Sequence, residues 1–246
     1  MFTLWISIKK FLLDLLFPKF CLGCQKEGSY LCEDCRSLLD ISEYNYCLCS
    51  KPQRLPLNQK IGKCSKCQDK KLSGLYFALP YKENPLIKKL IQQFKYKPYL
   101  KDLSETLSSI LIEHFLKTKK NTDEIWENSV LIPVPLHIKK LRERGYNQSE
   151  ELAKELAKIL KIPVINNVLI KIKPTTSQVE LSKEEREKNL IGSFFVCHQV
   201  IDVINGKKVF LVDDVYTTGS TMQECACVLK KAGAKSVWGI AIAREG

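Results

Sequence analysis

The sequence predicts an α/β protein with a central parallel sheet, preceded by a small cysteine-rich module. Three observations carry this. From Leu75 onward, apolar segments of strand length alternate with segments of helical period, the pattern of a parallel sheet covered by helices. Lys208 to Val212 is a nearly continuous apolar run, as a strand buried on both faces requires. Eight of the eleven cysteines fall between Cys21 and Cys67, in pairs of close spacing.

The elements follow in order. Leu4, Trp5, Ile8, Phe11, Leu12, Leu15 and Leu16 recur at helical spacing, so residues 2–16 read as an amphipathic helix that Pro18 ends. Its apolar stripe can dock on the protein, on a partner or on a membrane surface. The segment is too short to span a bilayer and does not resemble a cleavable signal peptide. A cysteine-rich domain is expected over residues 19–72, ending in a linker near Gln68 to Ser73, and a larger domain over 73–246, with 1–18 as a separate helix.

In the larger domain, strands are expected at Leu75 to Tyr81, Ser129 to Val134, within Val164 to Ile172, and at Ser193 to Cys197, Lys208 to Val212 and Val237 to Ala243. Helices are expected at Leu86 to Tyr96, Leu103 to Leu116, Ser149 to Leu160 and Ser220 to Lys231. In the third of these Leu152, Leu156 and Leu160 share a face, and Glu150 stands four residues before Lys154. Asn205-Gly206 marks a turn and Gly233 a helix stop.

Apolar content of 45% indicates a globular chain rather than a disordered one. The net charge of +12 suits polyanionic partners such as nucleic acid, anionic lipid or phosphorylated metabolites. Without a secretory signal, a reducing, cytoplasmic compartment is expected, with the first helix able to lie on the inner face of a membrane. In such a compartment paired cysteines are more often metal ligands than disulfides. Cys21-x2-Cys24 with Cys32-x2-Cys35 is a zinc pattern of two chelating turns. Cys47-x-Cys49 with Cys64-x2-Cys67 forms a second set. Sequential pairing into two closed structural sites is the simplest arrangement; interleaved pairing and redox disulfides are the alternatives. Cys197, Cys225 and Cys227 read as core residues.

The segment Val209 to Thr221 carries the densest chemistry. Asp213 and Asp214 follow the apolar run, at the strand's carboxyl end, where open α/β sheets bind ligands. Adjacent carboxylates there can accept hydrogen bonds from a diol or hold hydrated magnesium. Thr217, Thr218, Gly219, Ser220 and Thr221 then open a helix. Gly219 permits close backbone approach, and the hydroxyls and free amides make an anion cradle.

These thirteen residues resemble the signature of type I phosphoribosyltransferases. The resemblance implies the type I phosphoribosyltransferase fold, with Asp213 and Asp214 holding the ribose hydroxyls of phosphoribosyl pyrophosphate, as its catalytic pair, and Thr217 to Thr221 holding the 5-phosphate. Mg2+ would accompany the ligand. Thr217 stands where purine-salvage members carry an aspartate, which disfavours a purine acceptor. Ile132 to His137, Leu141 to Gln148, Thr176 to Leu181 and Arg186 to Asn189 resemble blocks of the ComF family, which is linked to DNA uptake in natural transformation. That resemblance covers nearly the whole chain and implies a zinc-ribbon module, with Cys47-x-Cys49 one residue shorter than the family's usual spacing. It also implies the competence machinery as partner.

In these blocks Pro135, Leu136 and His137 are placed on a pyrophosphate loop. Arg142 and Arg144 offer bidentate donors to phosphate. The polar stretch Lys171 to Asn189 is expected to be a lid, with Lys171, Lys173, Gln178, Arg186 and Asn189 touching pyrophosphate or ordering the lid. Two stretches mix cations with aromatic residues: Lys88 to Lys101, which includes Phe94, Lys95, Tyr96 and Tyr99, and Lys139 to Tyr146. Both suit single-stranded DNA, held by a basic groove with stacking rings. The plainer alternative packs Phe94 inward and leaves the lysines solvated.

Overall fold

A computed structural model describes residues 16–56, 59, 61–120, 123–173 and 190–245. The chain divides into two compact units, Met1–Asp40 and Ile41–Gly246. The expected first helix falls almost wholly outside the described residues, as do Gln178, Arg186 and Asn189 of the expected lid.

The smaller unit includes a short helix, α1 (Glu33–Ser37), capped at its start by Cys32. In the larger unit a two-residue antiparallel ladder pairs β1 (Asn45–Tyr46) with β2 (Arg54–Leu55). The chain then enters β3 (Gly74–Pro80), α2 (Pro85–Lys95), α3 (Leu103–Lys117), α4 (Asp123–Trp126) and β4 (Ser129–Pro133). Next come α5 (Ile138–Arg144), α6 (Gln148–Leu160), β5 (Leu169–Lys171), β6 (Phe194–Val196) and α7 (Ile201–Ile204). The unit closes with β7 (Lys208–Tyr216), α8 (Ser220–Lys231) and β8 (Ser236–Arg244).

The central sheet is parallel, in the order β3-β8-β7-β4. Helices α3 and α6 pack on β3 and β4, and α8 packs on β7 and β8 together with β6. The sheet core includes Val209, Leu211, Val237 and Ile240, all fully buried. Two expected strands lie elsewhere: β5 and β6 pair with each other, antiparallel, as a separate hairpin. Among the described residues, only an isolated bridge between Leu131 and Val164 continues the main sheet past β4. Short segments with an exposed Ile170 and Phe195 cannot serve as strands covered on both faces.

Two local features orient the site. In α2, Asn84 caps the first turn by accepting from Leu86 and Ile87 amides at 3.0 and 3.2 Å, and Pro85 opens the helix. Ile87, Leu90, Ile91 and Phe94 are its buried face, so the rotation of the helix is set and Lys95 follows the last buried ring. In α6, the Asn147 side chain accepts from the Ser149 amide at 3.1 Å and donates to the Val134 carbonyl at 3.0 Å. One asparagine thus joins the start of α6 to the loop after β4. The Glu150–Lys154 pair spans 2.8 Å, one turn apart on that helix.

Candidate functional site

The strand β7 runs four residues beyond the expected Val212, so the acid pair lies within paired strand and not after it. On one side β4 stops at Pro133, opposite Val212; on the other, β8 continues to Arg244, opposite Tyr216. Asp213 and Asp214 therefore lie just beyond the end of β4, at the carboxyl edge of the sheet, where open α/β sheets bind ligands.

The two carboxylates have different partners. Asp213 Oδ1 accepts from the Ser149 hydroxyl at 3.0 Å and from the Asp214 amide at 2.9 Å. Asp214 Oδ1 accepts from Lys95 Nζ at 2.7 Å and from the Val215 amide at 2.6 Å. Its second oxygen, Oδ2, is buried with no hydrogen-bond partner among the described residues. Burial, then the charge of Asp214, pushes the Asp213 carboxyl up to about 7; Lys95 opposes the rise. Burial works against the charge of Lys95, but Asp214 and Asp213 outweigh it and the ammonium is held above its ordinary range. Lys95, Asp214, Asp213 and Ser149 thus form one charge-assisted cluster, drawn from α2, β7 and α6.

The turn after β7 is built for close approach. Gly219 has φ of +78° and a Cβ placed on it would lie 2.1 Å from the Tyr216 hydroxyl oxygen, so no larger residue fits without displacing that ring. Thr218 and Ser220 hydroxyls are 2.8 Å apart, and the Ser220 amide donates to Thr218 Oγ1 at 3.3 Å. Thr217 is exposed and Thr221 is half-buried, both at the mouth of the turn. The amides and hydroxyls at the start of α8 can receive an anion there.

Around this centre the other expected residues are distributed unevenly. Pro135 and Leu136 line a cleft with Asn147 and Lys171. His137 caps α5, its Nδ1 accepting from the Lys139 amide at 3.3 Å. The segment read as a loop carrying arginines is thus partly helical. Arg142 is exposed on α5, and Arg144 donates to the Gln148 side chain with its guanidinium 5.9 Å from the Tyr96 ring centre. Lys171 lies 5.3 Å from the Phe194 ring centre, and burial, then Lys140, lowers its pKa while Asp213 acts oppositely. Lys173 donates to the Ile191 carbonyl at 3.1 Å.

Three residues at the centre were not among the expected phosphoribosyl ligands. Lys95 stood in the sequence as part of a basic, aromatic stretch. Ser149 gave no signal beyond its place at a helix start. Lys140 is half-buried, and burial, then Arg144 and Lys95, pulls its pKa down, which places its charge beside this cluster. Phe94 is fully buried, Tyr99 is half-buried and Tyr96 is 56% exposed, so Tyr96 is the most open of the three rings for stacking.

The cysteines form the two sequential quartets. In Cys21, Cys24, Cys32 and Cys35, and again in Cys47, Cys49, Cys64 and Cys67, all sulfurs lie within 4.8 Å of one another, and none is in a disulfide. A tetrahedral tetrathiolate zinc site has sulfurs about 3.8 Å apart; the Cys24–Cys32, Cys49–Cys64 and Cys64–Cys67 separations of 3.4, 3.5 and 3.7 Å suit it. Amide donors from Cys32 to Cys21 Sγ at 3.4 Å and from Gln53 to Cys47 Sγ at 3.2 Å favour thiolates. Both quartets could hold zinc. Of the remaining cysteines only Cys225 is fully buried; Cys197 and Cys227 are half-buried.

A parallel sheet whose central strand ends in paired acids and a Thr-Gly-Ser turn opening a helix defines the phosphoribosyltransferase class. Residues 147–245 match the family described as phosphoribosyl transferase domain. The chain is 32% identical to competence protein F of Haemophilus influenzae over 90% of this chain and 89% of that one. It is 27% identical to DNA utilization protein YhgH of Salmonella typhi, over 84% and 93% of the two chains. To competence protein ComFC of Bacillus subtilis it is 26% identical, over 89% and 86%. The chain belongs to the ComF family, proteins of phosphoribosyltransferase type with a cysteine-rich N-terminal region.

Proposed function

We propose that this protein binds phosphoribosyl pyrophosphate with Mg2+ at the acid pair and turn, and that it serves DNA uptake on the cytoplasmic side. The observation that carries the first part is the Asp214 carboxylate. Its Oδ2 is buried and unbonded among the described residues, on the strand that leads into the turn at Gly219. Buried carboxylate oxygens without donors are costly, and ribose hydroxyls would supply donors. In this reading Asp213 and Asp214 orient the diol, and Thr217 to Thr221 hold the 5-phosphate. Pro135, Leu136, Lys140 and Lys171 border the pyrophosphate, where magnesium would offset its charge. The relatives' names, competence protein and DNA utilization protein, support the second part. Among the described residues no helix is long and apolar enough to cross a membrane.

Calorimetry with phosphoribosyl pyrophosphate and magnesium tests the site. The wild-type protein binds, and Asp213→Asn/Asp214→Asn loses at least about tenfold in affinity, as removal of charge-assisted hydrogen bonds predicts. Equal binding by both proteins, or by neither, overturns the assignment.

A second reading, transfer of the phosphoribosyl group to a non-purine acceptor, is favoured by Asp213. A carboxyl that titrates at about 7 beside the ligand can exchange a proton during a reaction. Pyrophosphate release in a screen of acceptors, with and without single-stranded DNA, separates turnover from binding alone.

A further inference from the structure

Arg244 ends β8 and is 3% exposed, a buried cation that the proposed ligand site does not use. Its guanidinium donates to the Cys47 carbonyl at 2.7 Å and to the Cys49 carbonyl. Among the described residues it forms no ion pair with a carboxylate; after burial, the largest influences on its charge are Tyr216 and the thiols Cys47, Cys49 and Cys67. A buried guanidinium facing only neutral groups is poorly compensated. Four thiolates around one divalent ion leave two net negative charges, so a loaded second quartet supplies the missing counter-charge.

The other side of the same guanidinium leads to the ligand site. It lies 5.4 Å from the Tyr216 ring centre, and the Tyr216 hydroxyl fills the space beneath Gly219 of the turn. A second connection runs parallel to the first. Gln223, in the first turns of α8, accepts from the Lys71 and Leu72 amides at 2.6 and 3.2 Å, just beyond Cys67. The turn is therefore held from below by Arg244 through Tyr216, and along α8 by Gln223. Both supports start within a few residues of the second quartet. The first quartet lies in the other compact unit.

We propose that Arg244 is a positioning residue that couples metal occupancy of the second quartet to the shape of the anion-binding turn, so that loss of this metal weakens ligand binding. The coupling rests on the phosphoribosyl reading of the turn. Binding linkage is reciprocal: if the metal strengthens the ligand, the ligand retains the metal by the same factor.

The experiment uses the full chain loaded with zinc, with phosphoribosyl pyrophosphate and magnesium as the probe. A mercurial thiol reagent ejects zinc, and a chromogenic indicator follows its release. Two phases are expected, one for each quartet. The probe should slow the phase belonging to Cys47, Cys49, Cys64 and Cys67 severalfold and leave the other unchanged. Cys21→Ser/Cys24→Ser, which removes the first quartet, assigns the phases and should bind the probe as the wild type does. Arg244→Met should lose most of the protection of the second zinc and bind the probe at least about tenfold more weakly, a change of about 1.4 kcal/mol. Where Arg244→Met does not fold, the release kinetics of the wild-type chain decide alone. Equal release rates with and without bound probe overturn the coupling while leaving the phosphoribosyl reading intact. Failure of the zinc-loaded wild type to bind the probe overturns both.

Discussion

Asp213 and Asp214 are neighbours in one strand, yet their surroundings set them apart. Asp214 has a lysine at 2.7 Å, and Asp213 has a serine hydroxyl at 3.0 Å and a carboxyl pushed up to about 7. That rise sets the sign of a stability effect. Between the ordinary carboxyl value near 4 and about 7, the folded protein keeps the Asp213 proton and the unfolded chain releases it. Stability is therefore whole below about pH 4 and declines as pH rises to about 7. Asp213→Asn removes the ionisation while keeping the shape. Without ligand, the variant should match the wild type near pH 4.5 and exceed it above pH 7 by ~1–2 kcal/mol, a value reduced for the partial exposure of the group. Thermal unfolding at the two pH values checks this; a variant no more stable than the wild type at pH 8 refutes it. The same substitution weakens the ligand, so stability and binding move in opposite directions at this residue.

The strand–turn–helix unit of β7 and α8 is the element on which the proposed binding depends. Gly219 occupies a left-handed conformation directly above the Tyr216 hydroxyl. Gly219→Ala adds about 1 kcal/mol of backbone strain and must also displace Tyr216. The expected outcome is a folded protein that binds phosphoribosyl pyrophosphate at least about tenfold less well, with an unfolding free energy lower by ~1–3 kcal/mol. Calorimetry and denaturant unfolding together check it, and unchanged affinity would remove Gly219 from the site. This unit was legible in the sequence because its apolar run, its acids and its small residues are contiguous. The partners of the acids were not. Lys95 reaches Asp214 because α2 buries Ile87, Leu90, Ile91 and Phe94 and ends beside the acid pair. That direction depends on how α2 packs against the sheet, which local periodicity does not encode. The hairpin of β5 and β6 was read as two strands of the main sheet for a related reason: short apolar segments do not reveal their pairing partner. The cysteine quartets were legible as pairs, but spacing alone left their grouping open. Nor did spacing reveal that Cys47 and Cys67 belong to the buried core of the larger unit.

At the scale of the whole molecule, a charge of +12 has to be reconciled with a ligand site that holds two carboxylates. The excess is what remains after such pairs cancel: Lys95 offsets Asp214, and Lys154 and Lys158 pair with Glu150, Glu151 and Glu155 along α6. The exposed pairs along α6 contribute little to stability, and the unpaired positive charge is open to a polyanion. Tyr96, 56% exposed and 5.9 Å from the Arg144 guanidinium, adds a face on which a base can stack, and Arg142 lies exposed on the same α5 helix as Arg144. Phe94 cannot contribute, because it is buried under α2. We predict that a single-stranded oligothymidylate binds with an affinity that falls steeply with salt, by about 0.7 logarithmic units per decade of salt for each phosphate contact. Tyr96→Ala should weaken binding about tenfold at every salt concentration, since stacking of one base contributes ~1–3 kcal/mol and releases no counterion. Arg142→Gln should instead reduce the salt slope by about 0.7, the share of one phosphate contact. Fluorescence anisotropy across a salt series separates the two behaviours. A slope near zero, or no binding at low salt, would confine the protein to small phosphorylated ligands.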